Sequence, residues 1–84
     1  MSDPEITMPV INVPVINVPV INVNGAPRPV PPGQTVSILL DALLLDRRKV
    51  AVERNEAIVP RSSYDATVLA PGDQIEIVHF IGGG

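Results

Sequence analysis

The sequence contains no cysteine and no tryptophan, and it has one tyrosine (Tyr64), one phenylalanine (Phe80) and one histidine (His79). Without cysteine there is neither a disulfide framework nor a thiolate nucleophile, a composition that fits the cytoplasm. A lone histidine with no cysteine or clustered carboxylate beside it makes no metal site. It also lacks the partners of a catalytic triad, so His79 is expected to be a solvated strand residue. Basic charge is scarce as well: six Lys and Arg stand against nine Asp and Glu, for a net charge of −3. A single basic run, Arg47-Arg48-Lys49, does not supply the positive face that nucleic-acid phosphates require. The longest helical apolar region, residues 36–45, is interrupted by Asp41 and falls well short of the ~20 residues that cross a bilayer. Asp3 and Glu5 stand where a signal peptide would be basic, so neither export nor membrane insertion is expected.

Proline and aliphatic residues are plentiful: ten prolines, and a hydrophobic fraction of 45% made mostly of Val, Ile and Leu. The 84 residues hold one domain. Its foldable part is short enough to bury only ~60% of the surface that the unfolded chain exposes, which leaves one modest core and no deep cleft. β-Branched residues favour strands, and the class expected is a mixed α/β domain.

Residues 9–23 read Pro-Val-Ile-Asn-Val three times in succession. Strand side chains alternate with period two, so a slip of five residues moves every apolar side chain to the opposite face, and each copy brings a proline that cannot donate to a ladder. The three copies therefore cannot be equivalent strands of one core. The third copy is followed directly by Asn24-Gly25, the preferred centre of a tight hairpin turn, which places the first strand at residues 20–24 with Ile21 and Val23 inward and Asn22 outward. Residues 1–19 are expected to be an extended or disordered leader. An added edge strand or a self-association segment is the alternative, opposed by Pro9, Pro14 and Pro19.

Residues 26–32 carry four prolines and allow only a short or edge strand before a turn at Gly33. The period then becomes helical: Thr35 suits an N-cap, and Val36, Leu39, Leu40 and Leu43 share one face, predicting a helix over residues 36–46. The basic run would follow it, at the carbonyl end of the helix dipole. Val50 and Val52 alternate with Ala51 and Glu53, a polar turn at residues 54–56 follows, and residues 57–60 complete a second hairpin. Ser62 and Ser63 are candidate caps for a short turn carrying Tyr64. Pro71-Gly72 fits a type II turn and launches a strand over residues 74–80, with Ile75 and Ile77 on the core face and Glu76, Val78 and Phe80 on the other. Gly82-Gly83-Gly84 then offers nothing to bury and is expected to form a mobile tail over residues 81–84. No Lys-Ser or Lys-Thr follows these glycines, so they are not a phosphate-cradling loop.

Between Ile21 and Gly84 stand Asn24-Gly25, Gly33-Gln34-Thr35-Val36, Val50-Ala51-Val52-Glu53, Ile58-Val59-Pro60-Arg61, Gly72-Asp73-Gln74-Ile75-Glu76-Ile77 and the final Gly83-Gly84. In these residues the chain resembles the ThiS family of sulfur carriers of thiamine biosynthesis. A terminal Gly-Gly alone is a weak signal. Joined to the Gly-Asp-x-Ile-x-Ile strand and the Val-Pro-Arg upstream, it is fairly specific. The leader and the third glycine, Gly82, depart from the pattern.

The resemblance implies an α+β, ubiquitin-like β-grasp fold: a mixed four- to five-stranded sheet packed on one main helix, with a flexible Gly-Gly tail, over residues 20–84. It also implies a carrier rather than an enzyme, with no bound cofactor. An E1-like adenylyltransferase would use ATP to activate Gly84, a sulfur nucleophile would convert the adenylate to a thiocarboxylate, and a thiazole synthase would take that sulfur. Gly83 and Gly84 would serve by their lack of side chains, threading into a narrow site. Val78 and Phe80, apolar on an otherwise polar face and leading into Ile81 and Gly82, are the expected docking residues of a monomer. The small subunit of a molybdopterin synthase, a ubiquitin-like modifier and a β-grasp module without carrier activity are the alternatives.

Overall fold

The computed structural model of the chain describes residues 18–80; residues 1–17, most of the expected leader, and residues 81–84, the expected tail, lie outside it. Strand β1 (Val20–Val23) is formed by the third repeat, with Ile21 fully buried and Val23 packed on the core. Asn24 and Gly25 take φ of 50° and 85°, the left-handed pair that a tight hairpin turn demands. The chain returns as β2 (Ala26–Pro29), antiparallel to β1 at the edge of the sheet. Val30 donates its N–H to the Pro19 carbonyl at 2.9 Å. By alternation Arg28 also faces β1, while Pro27 and Pro29 turn their missing donors to the open side, the one place in a sheet where proline costs little.

Helix α1 (Val36–Ala42) begins at Thr35, whose Oγ1 accepts the N–H of Ile38 at 3.2 Å. Two further first-turn donors find tertiary partners, Val36 N–H on the Thr67 carbonyl and Ser37 N–H on the Tyr64 carbonyl. A seven-residue helix is marginal alone. It is held by burying Val36, Leu39 and Leu40 against the sheet, each worth about 2 kcal/mol. The helix is four residues shorter than the periodicity over residues 36–46 predicts. Leu44 adopts φ of 60°, and the bonds from Leu44 N–H to the Asp41 carbonyl and from Leu45 N–H to the Leu40 carbonyl close a Schellman cap. Glycine is the usual residue at that position. A leucine there gives no warning in the sequence, since it continues the apolar pattern.

The basic run therefore does not sit on the helix dipole. Arg47–Lys49 forms its own 3-10 turn, capped by Asp46, whose Oδ1 accepts the Arg48 N–H at 2.9 Å. Arg48 also binds that carboxylate through Nε and Nη2, and these bonds, with the Arg48 backbone N–H next in weight, hold the Asp46 pKa at about 2. Arg47 lies over the Tyr64 ring, 5.6 Å from its centre, and donates to Ser37 Oγ and Asp65 Oδ1 at 3.1 Å.

Strands β3 (Val50–Arg54) and β4 (Ala57–Val59) form the second hairpin, turning through Asn55 and Glu56 at φ of 52° and 72°. The segment after β4 makes a 3-10 turn at Arg61–Ser63, with no hydroxyl cap; the Ser63 carbonyl, not its side chain, accepts from Ala66 and Thr67. Tyr64 is buried, its hydroxyl donating to the Val50 carbonyl at 3.4 Å. Strand β5 (Gln74–His79) runs between β1 and β3, parallel to the first and antiparallel to the second. The sheet order is β2-β1-β5-β3-β4.

Candidate functional site

The strand that leads to the C-terminus is anchored where it begins. Gly72, at φ of 84°, donates its N–H to the Val20 carbonyl, and the Asp73 carbonyl accepts from Asn22 N–H at 2.9 Å. The Asp73 side chain is 7% exposed. Its Oδ2 accepts from Arg54 Nε and from the Ala70 N–H, both at 2.8 Å, and its Oδ1 accepts from Asn55 Nδ2 at 3.0 Å. Asn55 in turn accepts the Gln74 N–H and donates its own N–H to the Gln74 carbonyl. Burial works against the charge on Asp73. The Ala70 N–H, then Asn55 and Arg54, outweigh it and keep the carboxyl below its ordinary pKa.

Midway, Ile75 is buried and Ile77 packs on the core, while Glu76 lies on the solvent face opposite Glu53. At the far end, Val78 and Phe80 project from that same solvent face, 59% and 45% exposed, beside Ala51 of β3. Phe80 is still tied to the sheet, its N–H donating to the Lys49 carbonyl at 2.8 Å. The apolar pair thus has a firm backbone and an open face, the combination expected of a docking residue. Ile81, Gly82, Gly83 and Gly84 lie outside the described residues. His79 is exposed on the opposite face.

Two parts of this strand's setting carry no signal in the sequence. The Asp73 cluster joins residues 18 and 19 positions apart, and the partners of an aspartate cannot be read from its own neighbourhood. Asn24 is visible as a turn residue, yet its side chain also reaches Ile77, 53 positions away. Elsewhere, a shallow groove along β4 is lined by Ile58, Pro60, Ser63 and Thr67, among others. The charged side chain on that wall is Arg54, already paired with Asp73. No helix among the described residues is long and apolar enough to cross a membrane.

A mixed five-stranded sheet with one helix on its inner face and its last strand running between the first and third is a ubiquitin-like β-grasp domain. Residues 21–84 match the model of the ThiS family, and the chain belongs to that family. It is similar to a crystal structure of a thiamine biosynthesis protein (ThiS) from Geobacter metallireducens, with 37% identity and a TM-score of 0.66 over 77% of this chain and 99% of that one. The sulfur carrier protein ThiS of Bacillus subtilis is 44% identical over 50 residues, covering 60% of this chain and 76% of that protein. A thiazole synthase of Magnetococcus marinus is 53% identical over 62 residues. That match takes in 74% of this chain and 19% of the synthase, so the chain spans about a fifth of the length of this relative.

Proposed function

We propose that the chain is a sulfur carrier protein of thiamine biosynthesis that acts through the carboxylate of Gly84. The observation that carries this is the geometry of β5, which is fixed at Asp73 and bears an exposed apolar pair at Val78 and Phe80 just before the terminal glycines in the sequence. Membership of the ThiS family and the similarity to the Bacillus subtilis sulfur carrier support it.

A terminal carboxylate has a pKa of about 3.3 to 3.7 and is ionised at neutral pH, which makes it a poor acyl donor. It requires activation by an E1-like adenylyltransferase. Attack of a carboxylate oxygen on the α-phosphorus of ATP expels pyrophosphate and leaves an acyl adenylate. Sulfide-level sulfur then forms the C–S bond, and AMP departs with the electron pair of the C–O bond, leaving a thiocarboxylate. Every catalytic group for these steps belongs to the partners, and the carrier itself is not an enzyme. The similarity of this chain to part of two much longer thiazole synthases supports a thiazole synthase as the acceptor of the sulfur. Val78 and Phe80, continuing into Ile81 and Gly82, form the docking surface, and Gly83 and Gly84 enter the partner's active site. The carrier acts in the cytoplasm as a monomer.

Intact-mass measurement of the protein expressed with its activating enzyme tests this. The expected gain is one oxygen replaced by sulfur, located at Gly84 by fragmentation and abolished by deleting that residue. A terminus unchanged in the presence of ATP, activating enzyme and a sulfur source would overturn the proposal.

A further inference from the structure

The hydrogen bond from Phe80 N–H to the Lys49 carbonyl fixes which backbone groups of β5 face β3. In an antiparallel ladder these alternate, so the groups of Val78 and Phe80 turn to β3, whereas those of Ile75, Ile77 and His79 turn toward the β1 side. Strand β1 meets only the first of these. Its pairing with β5 covers Asn22 with Gln74 and Val23 with Ile75, and ends with Asn24 N–H donating to the Ile75 carbonyl at 2.8 Å. There the chain turns away into the hairpin. At the next rung the Asn24 side chain takes the place of a strand residue, its Oδ1 accepting the Ile77 N–H at 2.7 Å and its Nδ2 donating to the Ile77 carbonyl at 3.2 Å. One primary amide thereby satisfies both backbone groups of Ile77. No hydrogen bond from β1 or its turn reaches His79 among the described residues.

The geometry points to Asn24 as a positioning residue for the C-terminus: its side-chain amide is the last hold on β5 from the β1 side, and it steadies the strand end that presents Val78, Phe80 and the terminal segment. The turn does not require this contact. A tight hairpin needs a residue that tolerates positive φ, and glycine meets that need at least as well as asparagine. Without the amide, β5 beyond Ile75 is held from β3 alone, and Ile77 exchanges its partner for water. The inference rests on the carrier proposal, in which Gly84, seven residues beyond Ile77, must reach a reacting phosphate in attack geometry. A looser strand end widens the range of positions from which the tail sets out and lowers the fraction of time that Gly84 spends in attack geometry, which slows the reaction.

The test uses the full chain and its activating enzyme, with Asn24→Gly to remove the amide while suiting the turn, and Asn24→Asp to keep an acceptor for the Ile77 N–H while losing the donor. Amide hydrogen exchange and the kinetics of Gly84 adenylation are both measured. In Asn24→Gly, exchange at Ile77 should rise about tenfold, as for the loss of a hydrogen bond pair, with Leu39 and Val52 unchanged. The kcat for adenylation should fall severalfold while KM stays within about twofold, because Val78 and Phe80 keep their backbone pairing to β3. Asn24→Asp should restore much of the Ile77 protection and recover part of kcat. If Asn24 serves the turn alone, Asn24→Gly leaves both readouts unchanged and the inference fails. It fails equally if Ile77 loses protection and kcat holds, or if Leu39 and Val52 lose protection with Ile77. A native chain that is never adenylated would overturn the carrier proposal and the kinetic half of this inference, whereas unchanged exchange at Ile77 overturns this inference alone.

Discussion

At Gln74 strand β5 enters the sheet between two neighbours, and at Phe80 it leaves beside one. The entry is polar and enclosed: Asp73 gathers Arg54, Asn55 and the Ala70 N–H, and the backbones of Val20 and Asn22 close the other side. The exit is apolar and open, with Val78 and Phe80 toward solvent and a single ladder to β3. The same six-residue strand therefore serves stability at one end and access at the other. A small core has little stability to spare, so concentrating the hydrogen bonds at the end remote from the C-terminus leaves Val78 and Phe80 free to fit the proposed partner.

Four changes test that contrast, the strongest first. Asp73→Ala should cost about 2 to 3 kcal/mol in urea denaturation, since it leaves three donors without their acceptor; the exposure of Arg54 keeps the figure below that of a fully buried ion pair. A loss under ~1 kcal/mol would mean that the entry is not the firm end. Phe80→Ala should raise KM for the activating enzyme about tenfold or more, as for an apolar anchor, and shift stability by less than ~0.5 kcal/mol. Unfolding in place of weakened binding would assign Phe80 to the core.

The third change is acidification. The folded-state pKa of Asp73 lies below its unfolded value of about 3.9, so its contribution is complete above that value and is lost as pH falls through the folded pKa. Urea midpoints should drop below about pH 4, and Asp73→Asn should flatten that part of the profile. Equal acid sensitivity in the variant would place the effect on other carboxylates. The smallest effect is expected away from both ends. Leu44→Gly relieves a left-handed leucine that is 92% exposed, and should gain about 0.5 to 1 kcal/mol with no change in activation kinetics.

The order of strands and helix was legible because each rests on a local signal: period-two alternation around Val50 and Ile75, period 3.6 around Leu39, and Asn24-Gly25 and Pro71-Gly72 as punctuation. The exposed pair Val78 and Phe80 was legible for the same reason, as a strand face that the isoleucines had left over. The helix end was not, because left-handed Leu44 carries no glycine or asparagine to mark it. The Asp73 cluster and the reach of Asn24 to Ile77 were hidden for another reason. Each joins residues distant in the chain, and only the closed sheet brings them together.

The chain spells the β1 strand three times, and the three spellings are identical. Nothing inside Pro-Val-Ile-Asn-Val can tell the core which copy to accept. The distinguishing mark stands just outside, in the Asn24-Gly25 turn and in the amide that clasps Ile77. The strand's address is thus written in its neighbour. Transplanting Asn-Gly to follow the second copy would be expected to redirect the sheet to a different stretch of the same words.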